Sequence, residues 1–92
     1  MMYRIVFSNS FKKDLKRLEK RKIDRSLLNR ALTLFVESGN VPDVYKPHKL
    51  SGTYAGFWEC HIKPDWLLIY EIDEVEKLVI LTRTGTHTDL FK

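Results

Sequence analysis

His48, His61 and His87 are the only histidines in a chain of 92 residues, and each has neighbours that could do chemistry. His61 precedes a turn holding Lys63, Pro64 and Asp65, with Trp66 directly behind it. His87 lies between Arg83 and Phe91. His48 belongs to the basic stretch Tyr45-Lys46-Pro47-His48-Lys49-Leu50. Histidine titrates near neutral pH and serves as acid or base. Arginine forks onto two phosphate oxygens, which a point charge cannot do. Such a set suits metal-free cleavage of a phosphodiester through its neighbouring 2′-hydroxyl. That reaction needs a base for the hydroxyl, an acid for the leaving 5′-oxygen and a cation over the charge building on phosphorus. Each proton transfer is worth roughly 10²–10⁴-fold. Trp66 and Phe91 offer flat faces to unstacked bases, at about 1–3 kcal/mol per stack. Lys46 and Lys49 would hold backbone phosphates.

Each residue also has a plainer explanation. A single histidine is more often a hydrogen-bonded surface residue than a catalyst. Asp65 after Pro64 is a common turn residue. Trp66 opens an apolar strand and could be core. Arg83 could pair with Glu59 across a sheet. Three histidines and Asp65 could ligate zinc, but no compact H-x₃-H pair exists, and alternation turns Cys60 away from His61. No metal site is therefore expected, and Cys60 reads as core.

The elements that must position these residues follow from periodicity. Tyr3 to Phe7 alternates and is β-rich, hence a strand. Ser8, Asn9 and Ser10 are cap candidates for a helix on which Phe11, Leu15 and Leu18 form one apolar stripe. Asp24 caps a second helix with Leu27, Leu28, Ala31, Leu34 and Phe35 on one face, stopped by Gly39-Asn40 and Pro42. A loop fills 40–55. Gly56–Ile62, Trp66–Ile72 and Lys77–Thr84 are strands joined by short turns, and a short tail follows Gly85. The expected fold is α+β, in the order β-α-α-β-β-β. The sheet is expected to be antiparallel, with the helix hairpin on one face and the first strand at an edge. In that meander His61, Asp65, Trp66, Arg83, His87 and Phe91 return to one rim, within reach of His48.

Length and composition fit one domain over residues 1–92. Hydrophobic residues make up 43% and charged residues 30%, and no apolar run approaches the roughly 20 residues of a membrane span. The first residues resemble no signal peptide, so a cytoplasmic protein is expected. With Cys60 the only cysteine, no internal disulfide can form. Charge is uneven: residues 1–49 carry a net +7 and residues 50–92 a net −3. A basic half suggests a polyanion or an acidic partner.

The blocks H-K-L-x-G, E-C-H-I-x-P-D-W-L-L-I-Y and R-T-G-x-H-x-D-L-F resemble the YafQ branch of the RelE/ParE toxin superfamily, and the likeness extends over the whole chain. The resemblance implies a RelE-like fold and a type II toxin that cleaves mRNA in the ribosomal A site and so inhibits translation. It implies no cofactor. It also implies a cognate antitoxin that silences the toxin in a hetero-oligomer and carries the complex to operator DNA. Residue by residue, it implies His87 as general acid and Asp65 as base, through or with His61. Arg83 becomes the phosphate clamp, His48 an orienting or charge-stabilising residue, and Trp66 and Phe91 contacts to the message. Lys12, Lys13, Lys16, Arg17, Lys20, Arg21 and Lys22 would then grip ribosomal RNA or meet an acidic segment of the antitoxin. The alternatives are a non-catalytic toxin of the same fold, such as the gyrase-poisoning branch, a plain nucleic-acid-binding module, and a zinc hydrolase.

Overall fold

A computed structural model describes residues 2–91. The chain runs β1 (Arg4–Phe7), α1 (Asn9–Lys20), α2 (Arg25–Ser38), β2 (His48–Lys49), β3 (Trp58–Lys63), β4 (Trp66–Asp73), β5 (Leu78–Gly85) and α3 (His87–Phe91). Short 3₁₀ turns at Asp43–Tyr45 and Gly52–Tyr54 punctuate the long loop.

Local chemistry sets the boundaries. The Ser8 hydroxyl accepts the Phe11 N–H and starts α1. Asp24 accepts the Ser26 N–H and starts α2. Gly39 ends α2 in the left-handed region, φ 79°. A side chain there is excluded twice, by that φ and by the Tyr3 ring, which fills the space a Cβ would take. The Asp73 carboxylate accepts the N–H groups of Val75 and Glu76 and closes the β4–β5 turn.

The sheet order is β1-β5-β4-β3-β2. The C-terminal meander is antiparallel as expected, but β1 pairs with β5 in parallel, so the sheet is mixed. β1 covers only Leu78–Leu81 of β5. Beyond that point α1 takes its place along the strand: Ser8 donates its N–H and its hydroxyl to Leu81 and Thr82 carbonyls. Two further elements were not expected, the two-residue strand β2 and the helix α3.

Two apolar clusters lie on either side of β4. Phe11, Leu18, Leu28, Ala31 and Phe35 from the helix hairpin meet Cys60, Leu68, Tyr70, Val79 and Leu81 on one face. On the other face Leu67, Ile69 and Leu90 pack with Leu50, Tyr54 and Phe57. β4 is thus buried on both faces, which accounts for its unbroken apolar run from Trp66 to Tyr70. Cys60 is core, and burial pushes its thiol up to about 12.

Candidate active site

Residues opposite one another in register point to the same face. His48 pairs with Glu59, Glu59 with Ile69, and His61 with Leu67. These side chains therefore share the face away from the helix hairpin, beside the smaller apolar cluster. α3 closes that cluster with Leu90 and brings His87 and Phe91 to its border.

α3 is held by a reciprocal cap. The Thr86 hydroxyl accepts the Asp89 N–H at 3.1 Å, and Asp89 accepts the Thr86 N–H at 3.0 Å. Arg21 anchors the same carboxylate from the end of α1, at 2.9 Å and 3.2 Å. That guanidinium and the Thr86 N–H hold the Asp89 carboxyl far below the usual range.

The cap fixes where His87 starts, and Asp65 fixes how it points. From the β3–β4 turn, Asp65 Oδ1 accepts the His87 backbone N–H at 2.9 Å and lies 2.7 Å from His87 Nδ1. The backbone N–H, then the ring, hold the Asp65 carboxyl below its ordinary value. A carboxylate only accepts, so His87 Nδ1 carries the proton and Nε2 is left for a ligand. Both side chains are more than half exposed.

Three imidazoles form a row. The His61 ring is centred 6.0 Å from that of His87 and 6.3 Å from that of His48. His48 Nδ1 lies 3.0 Å from the Lys46 carbonyl. His48 Nε2 and His61 Nε2 lie 3.3 Å and 3.6 Å from one oxygen of Glu59. Phe91, 45% exposed, packs edge-on to Tyr54 at 5.7 Å and lies 6.4 Å from the His87 ring.

The expected rim is therefore assembled for His48, His61, Asp65, His87 and Phe91, and altered for the rest. Trp66 is not a platform for bases. It is 5% exposed, packs in the main core and donates its indole N–H to Thr84 at 2.9 Å. Its position as first residue of a strand whose alternate residues face the helices sends it inward. Arg83 is not a free clamp, nor does it pair with Glu59. Its Nε and Nη2 bind Asp14 of α1 at 2.6 Å and 3.2 Å. Asp65 has one oxygen committed to His87, which binds the expected base to the expected acid. Lys46 and Lys49 are exposed, Lys49 with its ammonium 5.7 Å above the Trp58 ring.

The sequence reading passed over one carboxylate, Asp14, and gave another, Glu59, the wrong partner. Asp14, 4% exposed, accepts the Thr84 N–H as well as Arg83 and Arg17. Its signal was positional: Phe11, Asp14, Leu15 and Leu18 follow i, i+3, i+4, i+7, so Asp14 lies on the buried stripe. Glu59 shares strand parity with His61, which places it between the histidines.

A helix hairpin on one face of a five-stranded mixed sheet is the RelE-like α+β architecture, and the solved YafQ structures share it. The chain belongs to one family of them: the model of the bacterial toxin of type II toxin–antitoxin system, YafQ, matches residues 3–92. The mRNA interferase toxin YafQ of Escherichia coli K12 is 40% identical over 88 residues, 95% of this chain and 94% of that protein. The structure of the E. coli DinJ–YafQ toxin–antitoxin complex superposes with a TM-score of 0.87 at 38% identity, covering 100% of both chains. A metal-bound toxin from Helicobacter pylori gives 0.86 at 40% identity, over 99% of this chain and 100% of that one. Among the described residues here, no group of three or more His, Cys, Asp or Glu is arranged to hold a metal ion.

Proposed function

We propose that this protein is an mRNA interferase, cleaving ribosome-bound message by side-chain acid–base chemistry. The observation that carries the reading is the row His48–His61–His87, with His87 oriented by Asp65. In this reading a ring nitrogen of the row takes the 2′-hydroxyl proton. The oxygen attacks phosphorus, and the P–O5′ bond breaks. Protonated His87 delivers its Nε2 proton to the leaving 5′-oxygen. Asp65 holds that ring and stabilises its charged form. The products are a 2′,3′-cyclic phosphate and a 5′-hydroxyl. Phe91 is the stacking face for a base beside the cut. Arg83 acts on the phosphate only through the guanidinium edge that Asp14 leaves free.

Lys12, Lys13, Lys16, Lys20 and Lys22 line the exposed side of α1 and its end and supply the cationic surface for ribosomal RNA. Arg17 and Arg21 are partly spent on Asp14 and Asp89. By the same family reading, an antitoxin with an acidic segment covers that surface, and the complex reaches operator DNA through the antitoxin. Among the described residues no helix is long and apolar enough to cross a membrane; action in the cytoplasm follows, in this reading, from the ribosomal target.

The test is a purified translation system with one defined message. RNA ends are mapped after adding wild type or His87→Gln, with and without ribosomes. New 2′,3′-cyclic or 3′-phosphate ends, seen only with ribosomes and lost by at least about 10²-fold in the variant, are expected. Intact message with blocked growth would move the protein to a non-catalytic branch.

A further inference from the structure

Glu59 is a carboxylate at the second position of β3, and its side chain is only 8% exposed. A charge so placed needs partners that bring protons to it. Among the described residues, its ion-pair contacts are His48 and His61, both through Oε1. Arg83, which flanks Ile69 from the opposite strand, is held by Asp14. His87 faces His61 rather than Glu59 and is bound to Asp65.

We propose that Glu59 is a positioning residue that divides the work between the two histidines, leaving Nδ1 of His61 as the base and His48 as the cation beside it. The inference rests on the nuclease reading above and deepens it.

The division follows from which ring atoms are already engaged. A backbone carbonyl only accepts, so the 3.0 Å contact with Lys46 puts a proton on His48 Nδ1. His48 Nε2 faces a second acceptor, Glu59, at 3.3 Å. A ring that donates to both acceptors is protonated on both nitrogens and has no lone pair left to act as a base. In that form it is the cation that the proposal sets beside the base.

His61 differs in one respect. Its Nε2 faces Glu59 at 3.6 Å, and no protein acceptor contacts its Nδ1 among the described residues. In this proposal Glu59 draws in the Nε2–H, favours that tautomer and leaves the Nδ1 lone pair free. When Nδ1 takes the 2′-hydroxyl proton, the O–H bond breaks and an N–H bond forms. The oxygen's electron pair becomes the new O–P bond, and the 5′-oxygen leaves with the old P–O pair to be protonated by His87. The imidazolium formed at His61 then rests on Glu59, as a triad histidine rests on its carboxylate. One carboxylate oxygen can receive two N–H groups. Contacts of 3.3–3.6 Å are loose for hydrogen bonds, as catalytic contacts without substrate often are.

The test combines two measurements on wild type, Glu59→Ala and Glu59→Gln. Histidine-ring ¹⁵N spectra of the purified protein report the tautomers. Single-turnover cleavage at saturating ribosomes reports the step, with ribosome affinity measured alongside. Wild type should show His61 as the Nε2–H form, and Glu59→Ala should show mixed tautomers. The Ala variant should lose about 10–100-fold in rate at unchanged ribosome affinity. Glu59→Gln still offers an acceptor oxygen and should restore the tautomer and part of the rate. A folded Ala variant that cleaves at the wild-type rate overturns the proposal, as does a rate loss with the His61 tautomer unchanged. If wild type itself leaves the message intact, the nuclease reading fails, while the ring spectra still show whether Glu59 sets the tautomers.

Discussion

Replacing Asp14 with Asn removes a charge and an acceptor from a carboxylate that four bonds share. Oδ2 takes the Thr84 N–H at 3.1 Å and Arg83 Nε at 2.6 Å. Oδ1 takes Arg83 Nη2 at 3.2 Å and Arg17 Nη2 at 3.0 Å. An asparagine keeps one oxygen, and its NH₂ must face donors on the other side whichever way it turns. Thr84 is fully buried, and β1 stops pairing at Leu81, so its N–H has no other strand to bond. Whichever way the amide turns, one buried donor (the Thr84 N–H or the new NH₂) is left unpaired, at about 1–3 kcal/mol. The arginines reach water, with side chains 28% and 45% exposed, so each adds less than about 1 kcal/mol. The sum is about 2–4 kcal/mol. At roughly 4–8 °C per kcal/mol for a domain of this size, Tm should fall by about 8–32 °C. Differential scanning calorimetry at pH 7 measures this directly. A variant melting within about 3 °C of wild type would refute the claim that Asp14 replaces the missing strand beside β5.

Trp66→Phe removes the indole N–H from Thr84 and should cost about 1–2 kcal/mol in urea unfolding, with cleavage unchanged within about two-fold; a larger loss of cleavage at full folding would restore Trp66 as a message contact. Phe91→Ala removes a stacking face worth about 1–3 kcal/mol, so half-saturation by ribosome–message complex should rise by about 5–150-fold; unchanged half-saturation would remove Phe91 from the site. The carboxyls of Asp89, Asp65 and Asp24 are all held below their ordinary values in the folded chain. Their contribution is full above the unfolded value near pH 4 and is lost as pH falls through the lower folded values, so urea midpoints should drop below about pH 4 and Asp89→Asn should flatten that drop. Gln at Lys12, Lys13, Lys16 and Lys20 should weaken ribosome binding and flatten its dependence on salt; an equal slope would place the ribosomal contact elsewhere.

The caps, the helix faces and the meander were legible because each depends on a few neighbouring residues. Ser8, Asp24 and Gly39 act within four positions of themselves. The helix α3 had a signal of the same kind: Thr86 and Asp89 have the spacing of a reciprocal cap, which a reading of the tail as irregular passes over. Other features depend on distant closure. Nothing local in Tyr3–Phe7 says that it lies parallel to β5, or that α1 then runs along the rest of that strand. The partners of Arg83 follow from that placement alone. With α1 beside β5, Asp14 is nearer to Arg83 than any carboxylate across the sheet.

One irregularity in β5 links the core to the site. Val79 and Leu81 face the helix hairpin, and strict alternation would send Arg83 there too. Between the pairs Tyr70–Leu81 and Ile69–Arg83 the register shifts, with Thr82 as the extra residue. The shift exchanges the faces. Thr84 turns inward, where its hydroxyl accepts the Trp66 N–H and donates to the Leu67 carbonyl. Arg83 comes to the side of Ile69, Glu59 and His61, close enough to the strand's free edge to reach Asp14. A second shift, between His61 and Lys63, lies at the other end of the same arrangement, just before the turn that carries Asp65. The Lys63–Asp65 turn and the histidine row thus depend on two departures from regular pairing. A sheet without them would aim Arg83 at the core and alter the approach of Asp65 to His87. This explains why the candidate site residues were nameable from the sequence while their partners were not: alternation gives each residue a face, and each register shift reassigns it.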